Sequence, residues 1–412
     1  MASRKPKKNK KSLPNGKVLT AYRHLGLKQD PFTTLSLQGH NLDFFIGRED
    51  LLDRLLSLAL SVSNVGVAGE PGVGKSSLMQ ALRARVPSAY HTVAIGVPLD
   101  DASYFLNELL REILVAIPKV PGIKAQDLHR KLESGELSKN AVFSVIRSLV
   151  SKLRKPLLVF VDDLEKIKGD RVHHLTRSEK TLQLLEELKA LLELPNIAFV
   201  MALQEEFYSK VNQVVREGAE PTVLGLFKNV VLVEKFTPDQ LKDILALRLS
   251  KAGWKTPVED FLEPEALTLA LALSSGNARR FVFLLSEAMY RGFKRGGRRV
   301  EFQDLFEAVN EHLKLDLVCK KLLYFLAKSG RAVASNQDLQ AFMGLDMISI
   351  ARRLEILTKN RLAEMVDVAG GAKVYALPGQ GQGPAPTPSA QVQVSRTAEG
   401  EKVYRLLDEN SN

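Results

Sequence analysis

Between Gly69 and Ser77 the chain reads GEPGVGKSS, which sets three glycines, a lysine and two serines at the spacing G-x-x-x-x-G-K-S. That spacing suits the cradling of phosphate oxygens. Glycines at 69, 72 and 74 let backbone N–H groups curl around an anion with no Cβ in the way. Lys75 sets an ammonium against the β- and γ-phosphates of a nucleotide, and the Ser76 hydroxyl is a ligand for Mg²⁺. Glu70, Pro71, Val73 and Ser77 complete the loop, with Pro71 stiffening it. A helix expected from Ser76 onward points its positive end at the anion.

A second stretch, LLVFVDDLEK at 157–166, runs five apolar residues into two acids. A buried strand ending in Asp supplies the carboxylate that holds Mg²⁺ opposite Ser76. Asp162 is the expected metal-side residue, and Asp163 the expected group that polarises an attacking water. Glu165 is an alternative for the water, and a strand-ending turn also favours Asp. Gln204 follows the apolar run NIAFVMAL, where it either orients the same water or simply ends a strand. Arg279 and Arg280, in SSGNARRF, stand early in an expected helix, against its dipole; they face either a phosphate or solvent. His173 and His174 have no Cys or carboxylate at ligand spacing and read as surface residues, because neighbours on a helix point apart.

The elements that must position these groups follow from periodicity. Residues 30–235 alternate near-continuous apolar runs with helical patterns, as strands of a parallel sheet buried on both faces do. The expected fold class is therefore an α/β P-loop nucleotide-binding core. Phe105, Leu109, Ile113 and Ile117 form a core-facing helix stripe. Residues 236–312 show no convincing strand and read as a small all-α lid. It opens on TPDQ, where Thr237 is an N-cap, Pro238 the first helical residue and Gln240 the end of a capping box. Residues 313–378 read as three helices and a hairpin turning at Gly370-Gly371. Residues 1–29 read as a basic disordered tail, and 379–412 as a low-complexity tail rich in Pro, Gly and Gln.

The formal net charge of the 412 residues is +11. Residues 1–28 hold nine Lys or Arg and no acid, so they account for most of it. Such an arm either keeps the protein soluble or adds affinity for nucleic acid by counterion release. No apolar run reaches a membrane span, and the single Cys319 excludes an internal disulfide framework and fits a reducing cytoplasm.

Together these residues resemble the AAA+ superfamily, and most of all its initiator branch, the origin-recognition and cell-division-cycle-type ATPases, over residues 30–378. FFIGRED is similar to that family's adenine-side segment, which implies Phe45, Ile46, Gly47 and Arg48 as nucleotide-side residues. GEPGVGKSS matches Walker A and LLVFVDD Walker B. Gln204 falls at the sensor-1 position, and GNARR resembles sensor 2, which implies that Arg279 contacts the γ-phosphate. The third block resembles a C-terminal winged helix. Two departures stand out. Asp163 replaces the usual Glu, and Lys228 stands where an arginine finger is expected, with Arg216 the nearest arginine. A weaker resemblance links YRHLGLKQDPF to ExeA-type and transposition-helper ATPases.

The resemblance implies ATP/ADP with Mg²⁺, slow hydrolysis and a nucleotide-dependent DNA-binding switch. The DNA-facing residues would be Ser349, Arg352, Arg353 and Lys359 of the third helix and Lys373 behind the hairpin tip. The alternative is a signalling or assembly switch whose winged helix binds protein. Nucleotide-dependent self-assembly fits either reading.

Overall fold

The computed structural model describes residues 22–34, 37, 39–96, 101–118, 125–162, 164, 177–206, 209, 227, 229–311, 313–369, 372–379, 392–396 and 402–406. The chain divides into two compact units, residues 35–235 and residues 1–34 together with 236–412.

The first unit is built on a five-stranded parallel sheet. Its strands are β1 (Val65–Ala68), β2 (His91–Ile95), β3 (Leu157–Val161), β4 (Ile197–Leu203) and β5 (Asn229–Leu232), in the order β2-β3-β4-β1-β5. Every residue of β1, β3 and β4 is buried, as their unbroken apolar composition predicts. The helices around it are α1 (Glu49–Leu60), α2 (Lys75–Arg85), α3 (Ala102–Ala116), α4 (Ala125–Glu133), α5 (Lys139–Lys152), α6 (Arg177–Glu187) and α7 (Lys189–Leu192). One apolar cluster joins Phe105, Leu109 and Ile113 of α3 and Ile146 of α5 to Val159 and Phe199. A second joins Leu52 and Leu55 of α1 and Leu78 and Leu82 of α2 to Val67 and Val200.

Buried Asn64 fixes the centre of the sheet. Its Oδ1 accepts from Phe199 N at 3.1 Å, and its Nδ2 donates to Leu192 O at 3.0 Å. The register sets Ala68 beside Leu203 and Val161 beside Met201. The loops that follow β1, β3 and β4 therefore leave neighbouring strands at the same edge.

The second unit contains α8 (Pro238–Lys251), α9 (Val258–Phe261), α10 (Pro264–Ser274), α11 (Ala278–Arg295) and α12 (Phe302–Asn310). The expected capping box is present: Thr237 and Gln240 each bind the other's backbone amide. Its C-terminal part holds α13 (Leu317–Ser329), β6 (Arg331–Val333), α14 (Gln337–Met343), α15 (Met347–Lys359), β7 (Glu364–Ala369) and β8 (Ala372–Ala376), with an antiparallel sheet in the order β6-β8-β7. Ile350, Leu354 and Leu357 of α15 are buried on one face. The short strand β6 is not legible as a periodic run. The hairpin tip at Gly370-Gly371 lies outside the described residues, as do His173 and His174.

The N-terminal tail expectation needs correction over residues 22–29. The composition of residues 1–29 predicts a disordered arm, yet Tyr22, Leu25 and Leu27 are buried in the second unit. The cause is a buried cation on α8. Arg248 donates to Pro31 O at 2.9 Å and Thr33 O at 3.0 Å, while Lys28 N donates to Ala252 O at 2.7 Å and Phe32 packs on Phe261. Burial lowers the Arg248 pKa to about 10, against the pull of Asp30, which leaves the side chain charged at neutral pH. The tail of residues 379–412, read from its composition as low-complexity, holds an antiparallel pair, β9 (Val392–Arg396) and β10 (Lys402–Leu406).

Asn64→Ala leaves the Phe199 amide and the Leu192 carbonyl without their partner inside the sheet. It should cost about 2–3 kcal/mol, read as a lower urea midpoint for the unit of residues 35–235.

Candidate nucleotide site

The loop after β1 adopts the backbone that its glycines permit. Gly72 and Gly74 have φ of 87° and 100°, and Gly74 caps α2 in the left-handed conformation. Lys75 is buried, and its Nζ donates to Gly69 O at 2.8 Å and Glu70 O at 3.0 Å. These bonds hold the ammonium inside the turn of the loop, beside the amides of the first turn of α2. Val73 is buried beneath the loop and Pro71 is exposed on it.

Ser76 Oγ donates to Asp162 Oδ1 at 3.1 Å. This brings together the hydroxyl and the carboxylate that the sequence pairs across 86 positions. Asp162 is held by its own amide, which donates to Ile95 O at 2.9 Å. Both oxygens are hard donors of the type Mg²⁺ takes, so the residues present fit that ion. Asp163, Glu165, Arg216 and Lys228 lie outside the described residues.

Gln204 follows β4 at the edge where the phosphate loop leaves β1. Its Nε2 is buried and has no hydrogen-bond partner among the described residues. A buried donor without a partner costs about 1–3 kcal/mol, a cost that a ligand oxygen would relieve. Here the structure adds to the sequence, because a polar residue at a strand end does not by itself say which way it faces.

The segment Phe45–Arg48 lies against the sheet. Phe45 is half-buried against the apolar cluster beneath α1. Ile46 is half-buried too, and Gly47, at φ 83°, donates its amide to the Glu49 carboxylate. Arg48 is buried, and its Nη2 donates to Glu234 O at 2.5 Å. Burial lowers its pKa to about 10, partly opposed by the charge of Glu234. Ser77 Oγ accepts the Leu37 amide at 3.2 Å, so this residue supports the loop from behind. Lys235 Nζ lies 2.7 Å from Glu70 Oε1, a pairing that no local pattern announces.

The remaining expected residues belong to the second unit. Arg279 and Arg280 are exposed in the first turn of α11, which Asn277 caps by accepting Arg280 N at 3.0 Å. Ser349 is used locally, since both its amide and its hydroxyl donate to Asp346. Arg353 Nε donates to Asp316 Oδ2 at 2.7 Å, and Lys373 lies 3.6 Å from Glu355. Arg352 and Lys359 are exposed.

Residues 45–200 match the family model of the AAA ATPase domain. No curated protein matches the sequence. Among solved structures the chain is similar to Cdc6p from Pyrobaculum aerophilum, at 15% identity over 85% of this chain and 94% of that one, with a TM-score of 0.54. It is also similar to the ORC1 protein of Aeropyrum pernix in complex with DNA, at 20% identity over 83% and 92%, with a TM-score of 0.46. A third similar structure is the RuvB Holliday junction branch migration motor of Thermotoga maritima, at 15% identity over 84% and 96%, with a TM-score of 0.38. At these identities the likeness concerns the fold.

Lys75→Ala removes the ammonium held in the turn of the loop, the cation expected to face the phosphates. It should weaken binding of a fluorescent ATP analogue by about 100-fold or more, a loss of about 2.7 kcal/mol.

Proposed function

We propose that this chain, whose residues 45–200 match the AAA ATPase domain, is an initiator-like switch: it binds ATP with Mg²⁺, hydrolyses it slowly to ADP and phosphate, and changes its grip on DNA according to the nucleotide held. The observation that carries this reading is the bond between Ser76 Oγ and Asp162 Oδ1, at 3.1 Å, at the edge where Lys75 and Gln204, whose Nε2 has no partner among the described residues, also lie.

The chemistry asks little of covalent catalysis and much of charge placement. Lys75 and the amides of the loop hold the β- and γ-phosphates. Ser76 and Asp162 would hold Mg²⁺, which neutralises charge on the phosphates when bound. Gln204 orients the attacking water, and Asp163 accepts hydrogen bonding from it. The resemblance of GNARR to sensor 2 assigns Arg279 to the γ-phosphate. Asp163 is one methylene shorter than the glutamate usual there, and a misplacement of about 1 Å costs about 100-fold in rate. Slow turnover suits a device that works by which nucleotide it holds.

On the DNA side, the element order of residues 313–378 fits a winged helix, with Arg352 and Lys359 of α15 facing the duplex and Lys373 behind the wing. A second reading has a specific observation in its favour. Ile348 and Ile356 are 60% and 38% exposed on the same face of α15 as Arg352, while Arg353 is engaged by Asp316. An exposed apolar stripe of that kind suits a protein partner, and α15 would then serve assembly.

Asp163→Asn should leave ATP affinity within about threefold and lower the single-turnover rate by about 10²–10⁴; a rate that survives would pass the water to Glu165. Gln204→Ala should also lower the rate while sparing affinity. Duplex binding measured against salt should be tighter with ATP than with ADP. It should flatten by about two in log–log slope in Arg352→Ala/Lys359→Ala. An unchanged slope in that variant would give α15 to a protein partner.

A further inference from the structure

We infer that Lys235 is a positioning residue of the nucleotide site: it holds and neutralises the carboxylate of Glu70, the one negative charge on the phosphate loop, and so sets how strongly the site prefers ATP to ADP. This rests on the nucleotide reading above and adds to it a residue that no motif marks.

Glu70 is the one acid between Gly69 and Ser77. An acid is a poor choice for a loop that receives a polyanion, because like charges repel. Its main-chain carbonyl accepts from Lys75 Nζ at 3.0 Å. Glu70 therefore stands beside the ammonium expected to meet the β- and γ-phosphates. Its carboxylate, however, lies 2.7 Å from Lys235 Nζ. The backbone brings Lys235 to that place. Val233 N donates to Ala68 O at 2.7 Å, which carries the pairing of β5 with β1 one residue further. A Cβ on Gly69 would lie 2.7 Å from Val233 O, so the chain leaving β5 runs close against the start of the loop. The next carbonyl, Glu234 O, accepts from Arg48 Nη2 at 2.5 Å. Residues 233–235 are thus fixed both to the phosphate loop and to the segment Phe45–Arg48, all within the unit of residues 35–235.

The side chains of Lys235 and Glu70 are 49% and 43% exposed. A pair so open to solvent contributes little to the stability of the fold. Its consequence lies in the ligand. With Lys235 in place the pair presents no net charge, and the phosphates meet the Lys75 ammonium and the amides of the loop. Without Lys235 the Glu70 carboxylate stands unopposed beside the same phosphates. The γ-phosphate adds negative charge that ADP lacks, so the repulsion falls harder on ATP.

The test uses the full chain with Mg²⁺ and fluorescent analogues of ATP and ADP, titrated in KCl at about 0.1 M and about 1 M, where the Debye length is about 10 Å and about 3 Å. At the lower salt Lys235→Ala should weaken ATP binding about three- to tenfold and ADP binding by less, so that the ratio of the two affinities falls. The higher salt should remove most of that difference. Lys235→Arg should keep the wild-type ratio. Glu70→Gln/Lys235→Ala should return ATP affinity to within about twofold of wild type, because no charge is then left unopposed. An ATP-to-ADP ratio in Lys235→Ala equal to that of wild type would overturn the inference. So would a loss that persists in the double variant, since Lys235 would then support the backbone without acting on the Glu70 charge. The nucleotide site itself is read separately by Lys75→Ala: wild-type binding that this variant abolishes, beside an unchanged ratio in Lys235→Ala, would keep the site and overturn the charge pairing alone.

Discussion

The phosphate site depends on how tightly β1 is pressed between its two neighbours. A Cβ at Gly66 would lie 2.8 Å from Leu203 and 3.0 Å from Val230, and one at Gly69 would lie 2.7 Å from the carbonyl oxygen of Val233. Two glycines within four residues are the condition for that closeness. It delivers the loop at 69–76 to the same edge as Asp162 and Gln204, without long side chains having to reach. Asn64 secures the opposite end of β1, so the strand is fixed at its start by side-chain hydrogen bonds and at its finish by lack of room.

Much of this was legible in the residues themselves. The loop spacing, the apolar runs of β1, β3 and β4, the capping box at Thr237 and the buried stripe of α15 are local patterns, and local patterns survive into the fold. What escaped were pairings across long stretches of chain. Arg48 reads as a nucleotide-side cation until Glu234 O is placed beside it. Ser77 reads as a loop residue until the Leu37 amide claims its hydroxyl. Arg353 looks like a free cation on a recognition helix, but Asp316 lies 37 positions away and binds it. Tyr22, Leu25 and Leu27 are too sparse among lysines and arginines to read as buried, because the groups that bury them lie more than 200 positions later.

The two buried arginines share a device. Arg48 and Arg248 are each held by main-chain carbonyls. The carbonyls offset part of the desolvation cost, and the carboxylates of Glu234 and Asp30 offset more of it. Each fastens a segment that has no sheet of its own to join, at the places where the chain enters and leaves the α/β unit. Arg248 clamps two carbonyls at once from its Nη1.

The pairing of residues 22–33 with α8 and α9 also governs when this protein can finish folding. Arg248 grips carbonyls 215 and 217 positions away, so the second unit is a chain of high contact order interrupted by the whole α/β unit. Contacts of such separation form late, and domains fold as units while synthesis proceeds. The α/β unit, continuous from 35 to 235, can close while the remainder is still being made. The early segment must wait through that interval with Tyr22 and Phe32 uncovered, in a stretch whose positive charge disfavours self-association. The nine Lys and Arg of residues 1–28 thus oppose self-association of the nascent chain before its apolar partners exist.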